Sequence, residues 1–303
     1  MKKPKIIFVV GPTASGKSAL AVKIARRIGS DVISADSMQI YKSMDVGTAK
    51  VTEAEMQGVR HFMINVAEPS DDFSVAEYSE NAEKHIENMQ KDGKIPVVCG
   101  GTGLYVESLL YPLNFANTEK SSEIRDKLNA EYDEIGGKAM WERLYKLDPE
   151  SAGKLHPNDK KRLVRALEIL LSGEKKTTEE TREYKCEPLI VVLNFDERAK
   201  LYERIDKRVD LMFENGLLEE AEGLIRRGVK FSDQSFQAIG YKEFAAYFAG
   251  EQTLGKTKEL IKKNSRNYAK RQLTWFKRYK TAVWFSPDDE EKIFETVDRF
   301  LEK

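Results

Sequence analysis

The chain has 303 residues, 41% of them hydrophobic, which suffices for one large domain or for one domain with a smaller appendage. Its 50 lysines and arginines balance 50 aspartates and glutamates, so a polyanionic partner must be met by a local patch rather than by overall charge. The two cysteines and three histidines form no spaced ligand set, which excludes a readable zinc site or disulfide framework and fits a reducing cytoplasm.

Short apolar runs alternate with helical patterns along most of the chain. The predicted strands are IIFVV (6–10), DVISA (31–35), HFMINV (61–66), IPVVC (95–99), LIVVLNF (189–195) and AVWF (282–285). Strands that are apolar throughout and separated by helices indicate a parallel α/β sheet. The first run is too short for a signal peptide and leads into a glycine-rich loop, and no run approaches the roughly 18 to 20 apolar residues of a membrane span.

Helices are predicted where apolar residues recur with a period of 3.6. Two of them, at 18–29 and 74–93, each end at a glycine, and two more are predicted at 204–228 and 253–280. Between 115 and 187, charged helical segments follow one another without a strand. The sequence therefore predicts a P-loop core at 1–114 and 188–303, with a small all-helical insertion domain at 115–187.

The stretch GPTASGKS fits the pattern G-x-x-x-x-G-K-[ST] between a predicted strand and a predicted helix. Backbone N–H groups of such a loop and the helix N-terminus surround phosphate oxygens, while Lys17 adds a charge and Ser18 can ligate Mg²⁺. The predicted phosphate-binding residues are Gly11, Pro12, Thr13, Ala14, Ser15, Gly16, Lys17 and Ser18. The loop alone does not name the chemistry.

Asp36 follows the second predicted strand, at the carboxyl edge of a parallel sheet, where ligands of such folds bind. A carboxylate there can hold Mg²⁺, act as a general base, or cap a helix N-terminus. After the fourth strand comes GGTG, in which Thr102 follows two glycines that would let a ligand approach the backbone. A plain tight turn explains GGTG almost as well.

Residues 256 to 280 carry ten basic residues against one acidic residue, with aromatic residues interleaved. In a chain of zero net charge, this excess indicates an anionic partner, most plausibly a nucleic acid backbone. A basic helix packed against acidic neighbours is the alternative. The candidate RNA-binding residues of this segment are Arg266, Lys270 and Arg271.

Together, GPTASGKS, ADSMQIYKSMDVGTAK, PVVCGGTGLY, LHPNDKKRLVRALE, the Gly240–Tyr241 pair and AKRQLTWFKR resemble the tRNA dimethylallyltransferase (tRNA isopentenyltransferase) family. The resemblance implies transfer of a dimethylallyl group from dimethylallyl diphosphate to the exocyclic N6 amine of the adenosine 3′ of the anticodon, position 37. It further implies Mg²⁺ as cofactor and diphosphate as product. The chain ends soon after its last predicted helix, without a zinc-finger extension, so a bacterial-type enzyme is expected.

The resemblance also assigns roles to individual residues. Asp36 would be the general base, and Thr102 would lie beside it and bind the substrate nucleotide or the diphosphate region. Arg208 with the P-loop would stabilise the departing diphosphate. The residues that match the family's tRNA contacts are Asp36, Ser37, Met38, Gln39, Thr102, Arg125, Lys161, Arg162, Leu163, Val164 and Arg165. The helix at 160–162 reads Lys-Lys-Arg where many relatives have Gln-Arg, which keeps the charge. A cytoplasmic monomer that binds no membrane is expected.

Three rival interpretations remain at this point. An adenylate isopentenyltransferase would act on free AMP or ATP, and would need neither the helical insertion nor the basic segment. A P-loop nucleotide kinase would use Asp36 to hold Mg²⁺ and would transfer the phosphate. A non-catalytic RNA-binding module would leave the P-loop unexplained.

Overall fold

The computed structural model describes residues 3–113, 122–172 and 183–302. The chain divides into two compact units, one formed by Met1–Pro112 with Glu183–Lys303 and the other by Leu113–Arg182. The smaller unit overlaps the insertion domain that the sequence predicts at 115–187. In the described ranges no helix combines the length and the apolar character needed to cross a lipid bilayer.

The larger unit is built on one parallel sheet, which confirms the predicted fold class. The strands of the described residues are β1 (Lys5–Val10), β2 (Val32–Ser34), β3 (His61–Phe62), β4 (Val97–Gly100), β5 (Glu187–Leu193) and β6 (Val283–Phe285). Their spatial order is β3-β2-β4-β1-β5-β6. The loops that follow β2, β4 and β1 are therefore neighbours at the carboxyl edge of the sheet.

The helices of the described residues surround this sheet or form the smaller unit. They are α1 (Lys17–Arg27), α2 (Glu53–Met56), α3 (Val75–Lys91), α4 (Gly103–Leu110), α5 (Ser122–Leu147), α6 (Pro149–Gly153), α7 (Lys160–Leu171), α8 (Arg198–Glu214), α9 (Leu217–Arg226), α10 (Phe244–Phe248), α11 (Leu254–Phe276) and α12 (Glu290–Glu302). α5 bends at Gly136, whose φ of 82° is not helical.

Three predicted elements differ from the structure for local reasons. The strand predicted at 61–66 ends after Phe62, because Met63 and Asn65 have φ of 60° and 56°, outside the strand region. The helix predicted at 204–228 is two helices, α8 and α9, separated at Gly216 with φ 90°. The helix predicted to reach residue 280 ends at Phe276.

The main core lies between one face of the sheet and helices α1 and α12. Alternate residues of the central strands point into it, including Ile7, Val97 and Val191, all completely buried. From the helices, Ile24 and Val297 fill the same layer. Apolar burial of this kind is the main stabilising contribution to such a fold, and it fixes the strands whose ends carry the site.

The smaller unit packs α5, α6 and α7 around a core of its own. Leu128, Met140, Leu144 and Leu167 are buried in it. Asp159 caps the N-terminus of α7 by accepting a hydrogen bond from the Arg162 N–H group at 3.3 Å.

Candidate active site

The predicted phosphate-binding loop joins β1 to α1 as expected. Gly16 is the N-cap residue of α1 with φ 88°, a left-handed conformation that favours glycine, and it has no side chain to cap the helix. The first N–H groups of α1 therefore have no side-chain acceptor, and the positive end of the helix dipole faces the loop. Lys17 turns back over the loop and donates to the Pro12 carbonyl at 3.3 Å. Such an arrangement suits a phosphate group.

Asp36 lies in the loop after β2, and no helix begins there. One carboxylate oxygen, Oδ1, accepts from the N–H groups of Met38 at 2.9 Å and Gln39 at 3.4 Å, so it stabilises a turn. The structure therefore excludes the helix N-cap among the three roles considered for Asp36, because residues 37–40 form turns. The second oxygen, Oδ2, accepts no hydrogen bond from the described residues and remains available to accept a proton.

Thr102 lies beside the Asp36 turn. Its hydroxyl accepts from the Ser37 N–H group at 3.0 Å and donates to the Ser37 hydroxyl at 3.2 Å, while its own N–H group donates to the Ala35 carbonyl at 3.1 Å. Thr102 is also the residue before α4, yet its side chain makes no capping bond to that helix. The hydroxyl is thus committed to the loop that carries Asp36.

The glycines around Thr102 allow this loop to pack closely against its neighbours. A Cβ atom at Gly100 would lie 2.1 Å from the Ala35 carbonyl oxygen, and one at Gly103 would lie 2.4 Å from the Trp275 ring. At Gly101 it would lie 2.1 Å from the Gln272 side chain. Ala35 and side chains of α11 therefore pack closely against these glycines, and Gly100 also lines a cavity together with Asp36. The expectation that the glycines admit a ligand to the backbone stays a prediction.

Arg208 projects from α8 toward Asp36 and donates to the Thr48 carbonyl at 3.2 Å. Burial lowers the pKa of this guanidinium, and the nearby carboxylates of Asp36 and Glu55 oppose that change. Burial likewise lowers the pKa of Lys17, and the charge of Arg208 lowers it further. Two cations thus face one carboxylate in a desolvated setting, which favours binding of an anion.

Three cavities meet at these side chains, and all three lie in the larger unit. The central cavity, about 60 Å³, is lined by Lys17, Asp36 and Arg208. The outer cavity, about 610 Å³, shares Lys17, Ser18 and Arg208 with it. The α11 cavity, about 230 Å³, shares Asp36, Arg208 and Tyr268 with the central one. Asp36 therefore lies between the P-loop and a second cavity.

The loop from Asp36 to Lys50 is held by two side chains that sequence reasoning missed. Lys50 is 8% exposed and donates to the Tyr41 carbonyl, the Asp45 carboxylate and the Asn65 carboxamide at 2.6 to 2.7 Å. Glu220 of α9 accepts from the N–H groups of residues 45, 46 and 47 at 2.7 to 3.0 Å. Lys50 is the last residue of the motif ADSMQIYKSMDVGTAK, whereas no sequence motif contains Glu220.

Tyr241, from the Gly240–Tyr241 pair, completes this anchor. Its hydroxyl donates to Glu220, and its ring covers Gly47, where a Cβ atom would lie 2.5 Å from the ring. The Gly240–Tyr241 pair therefore supports the loop of Asp36 through Glu220 and Gly47.

The basic helix α11 is partly neutralised by α8. Lys258 and Lys262 lie 2.7 and 2.8 Å from the Asp210 carboxylate, and Arg266 pairs with Asp206. The acidic-neighbour alternative thus holds for the first half of the helix. Lys270 and Arg271 are exposed, and Arg271 lines the α11 cavity.

In the smaller unit, the predicted RNA-binding residues are of two kinds. Lys161 and Arg162 are exposed on α7. Leu163 and Val164 are 0% and 3% exposed within the core, so the prediction that they contact tRNA is wrong for these two side chains. The apolar period of the helix places them inward.

Arg125 and Arg165 share one buried carboxylate. Glu168 is completely buried and accepts two hydrogen bonds from Arg125, at 2.8 and 3.1 Å, while Arg165 lies 2.9 Å from it. The two guanidinium groups are thereby fixed next to each other. Their combined charge exceeds that of the carboxylate by one.

Known proteins that are similar to this chain belong to the family that its motifs resemble. A model of the IPP transferase family matches residues 39–279. The tRNA dimethylallyltransferase of Clostridioides difficile strain 630 is 48% identical over 305 residues, which cover 99% of this chain and 97% of that protein.

Solved structures give the same result. The full-length tRNA isopentenylpyrophosphate transferase of Bacillus halodurans is 40% identical with a TM-score of 0.74, and the match covers 99% of this chain and 96% of that one. A eukaryotic dimethylallyltransferase acting on tRNA is 29% identical with a TM-score of 0.81, over 94% of this chain and 74% of that one. The chain therefore belongs to the tRNA dimethylallyltransferase family, whose members are prenyl-transferring enzymes.

Proposed function

We propose that this chain transfers a dimethylallyl group from dimethylallyl diphosphate to the N6 amine of the adenosine 3′ of the anticodon, position 37, in tRNA. In that reaction the C1–O bond of the donor breaks, a C1–N6 bond forms, one amine proton is lost and diphosphate leaves. The observation that carries the proposal is the position of Asp36, which lines both the central cavity beside the P-loop and the α11 cavity.

The diphosphate belongs at the P-loop end. The free N–H groups of α1, the ammonium of Lys17 and the guanidinium of Arg208 supply the positive potential that a leaving diphosphate requires. Because these groups are partly desolvated, their interaction with developing charge is stronger than it would be in water.

Mg²⁺ is part of this proposal, and the donor set fits it. In the described residues no three His, Cys, Asp or Glu side chains converge on a metal position. Mg²⁺ commonly keeps several waters and is held by one or two protein oxygens together with substrate phosphates. The Ser18 hydroxyl at the start of α1 is the ligand that this chain would supply. Bound there, the ion would neutralise charge on the departing diphosphate.

The acceptor adenosine belongs in the α11 cavity. Its lining combines apolar side chains, among them Ile205, Val209 and Ile261, with the Tyr268 ring and the Arg271 cation. A base extruded from the anticodon loop can stack on such a surface, and its amine would then face Asp36 Oδ2. Oδ2 would accept the proton as the new bond forms.

One assay separates this proposal from its rivals. The protein is incubated with Mg²⁺, labelled dimethylallyl diphosphate and either unmodified tRNA or AMP, and the acceptor that gains label is identified. We expect label on tRNA alone. Label on AMP alone would refute the tRNA acceptor, and phosphorylation from ATP without prenyl transfer would indicate a kinase.

The smaller unit would bind the anticodon stem through α7 and Arg125. Replacing Lys161 and Arg165 together with alanine is expected to weaken tRNA binding and to reduce the slope of log K against log salt by about 2, roughly one unit per phosphate contact. Binding titrations at several salt concentrations measure this slope. Lys146→Ala, which replaces an exposed lysine of α5, is the control. An unchanged slope in the double variant would show that Lys161 and Arg165 of α7 do not contact the RNA backbone.

The enzyme is further proposed to act in the cytoplasm, where its substrate tRNA is found. It is also proposed to act as a monomer. Light scattering of the purified protein with and without tRNA tests the oligomeric state. A one-to-one complex is expected.

A further inference from the structure

The side chain of Gln272 joins two loops that belong to neighbouring strands. It lies on α11 and is 5% exposed. Its Oε1 atom accepts from the Thr13 N–H group at 2.9 Å, and its Nε2 group donates to the Gly101 carbonyl at 3.0 Å. Because one partner is a donor and the other an acceptor, a carboxamide satisfies both in a single orientation.

The face of α11 around Gln272 is fitted closely to the Gly100–Gly103 loop. Gly101 has no room for a Cβ atom because of Gln272, and Gly103 has none because of Trp275. One turn before Gln272, Tyr268 reaches the Thr102 side chain. Burial raises the pKa of this phenol to about 12, the charge of Asp36 adds to the rise, and hydrogen bonds with Thr102 and Gln272 oppose it.

These contacts form a continuous chain from the P-loop to the general base. Thr13 is tied through Gln272 to Gly101. The next residue, Thr102, holds the Ser37 N–H group, and Ser37 follows Asp36 directly. β1 and β4 fix the strand ends, but both loops project beyond the paired residues, which end at Val10 and Gly100.

We propose that Gln272 is a positioning residue that holds the diphosphate loop at a fixed distance from Thr102 and Asp36. This inference rests on the proposed function, because the distance that it sets is the one between leaving group and acceptor. Gln272 accepts a hydrogen bond from a backbone group of one loop and donates one to a backbone group of the other, and the Tyr268 phenol lies next to it. Rate depends steeply on such alignment, and a displacement of about 1 Å can cost about 10²-fold.

Gln272→Met tests the proposal, since methionine has a similar length but neither donates nor accepts strongly. We expect kcat to fall about 10²-fold, an increase in the KM for dimethylallyl diphosphate, and a tRNA dissociation constant within about twofold of the wild type. Hydrogen exchange should show faster exchange at the Thr13 amide, since its acceptor is gone.

Thr257→Val is the matched control. Thr257 is completely buried on the same helix and hydrogen bonds with Thr253 and Gln252, away from both loops. It should lower the melting temperature while leaving kcat and exchange at Thr13 unchanged. If Gln272→Met behaves like this control, Gln272 is merely structural and the proposal fails.

Gln272→Glu adds a second measurement, the pH dependence of kcat, which a change of side-chain volume alone would not alter. The ionised carboxylate still accepts from Thr13 but cannot donate to the Gly101 carbonyl, whereas the protonated acid does both. Protonation of the introduced carboxyl group therefore restores the donor as the pH falls. The ratio of variant to wild-type kcat should therefore rise as the pH falls. A ratio that is flat with pH would overturn the donor role of Nε2.

Other ionisable groups line the central cavity with residue 272, so the variant is compared with the wild type at each pH. They are Lys17, Asp36, His61, Cys99, Arg208 and Tyr268. Because wild type and variant contain the same six groups, the ratio removes the pH dependence that both proteins share. If the wild type forms no prenylated tRNA, the proposed function fails. The exchange comparison at Thr13 still decides whether Gln272 holds the loop.

Discussion

Asp36→Asn is expected to reduce prenyl transfer to tRNA by about 10²- to 10⁴-fold, the range that a general base contributes. Asparagine keeps an Oδ1 acceptor for the Met38 N–H group, so the turn after β2 persists. The variant loses only the second carboxylate oxygen, which would take the proton from N6. Single-turnover rates with saturating dimethylallyl diphosphate and tRNA measure the effect.

Asp71→Asn is the control for this substitution. Asp71 accepts from the Glu68 N–H group at 2.9 Å in a comparable turn, and it lines none of the three cavities. We expect wild-type rates for Asp71→Asn and nearly normal tRNA affinity for Asp36→Asn. Lost tRNA binding with a normal single-turnover rate would make Asp36 an RNA contact and not a base.

Arg208→Met is expected to lower kcat/KM for dimethylallyl diphosphate by about 10²- to 10³-fold, comparable to the loss of one donor to a developing oxyanion. Arg208 is the residue that lines all three cavities, and its charge acts next to that of Lys17. Arg208→Lys should recover only part of the rate, because an ammonium lacks the planar fork of donors. Steady-state kinetics with the donor as varied substrate separate kcat from KM.

Arg226→Met provides the comparison for a lost surface arginine. Arg226 is 71% exposed on α9 and lies 3.5 Å from Glu222, so its removal should leave both parameters unchanged. If Arg208→Met alters tRNA affinity but not the kinetics of the donor, the guanidinium serves the RNA and not the diphosphate.

Local patterns were sufficient to predict the parallel sheet and the loops at its edge. The P-loop, Asp36 and Thr102 each follow an apolar strand, and parallel strands bring their carboxyl ends to one edge. The packing role of the glycines could not be predicted, because Gly101 and Gly103 accommodate side chains of α11. That helix is 171 positions away at the Gln272 contact, beyond the reach of any short pattern.

The net charge of a segment could be predicted from the sequence, but the ion pairs that neutralise it could not. The excess in residues 256 to 280 was visible in the sequence, whereas its partial neutralisation depends on Asp206 and Asp210 of α8. Leu163 and Val164 show the converse case. Their apolar character and helical spacing already indicated a core position, and the family match assigned them to RNA against that signal.

The anchoring of the Asp36 loop limits how this site can be transplanted. Residues 36 to 50 look like a self-contained motif, yet Glu220, which holds the N–H group of Asp45, comes 175 positions later. A chimera that received this segment alone would leave three backbone donors without their carboxylate and Gly47 without the Tyr241 ring that covers it. A transplant would therefore have to include the loop together with α9 and the turn before α10 that carries Tyr241.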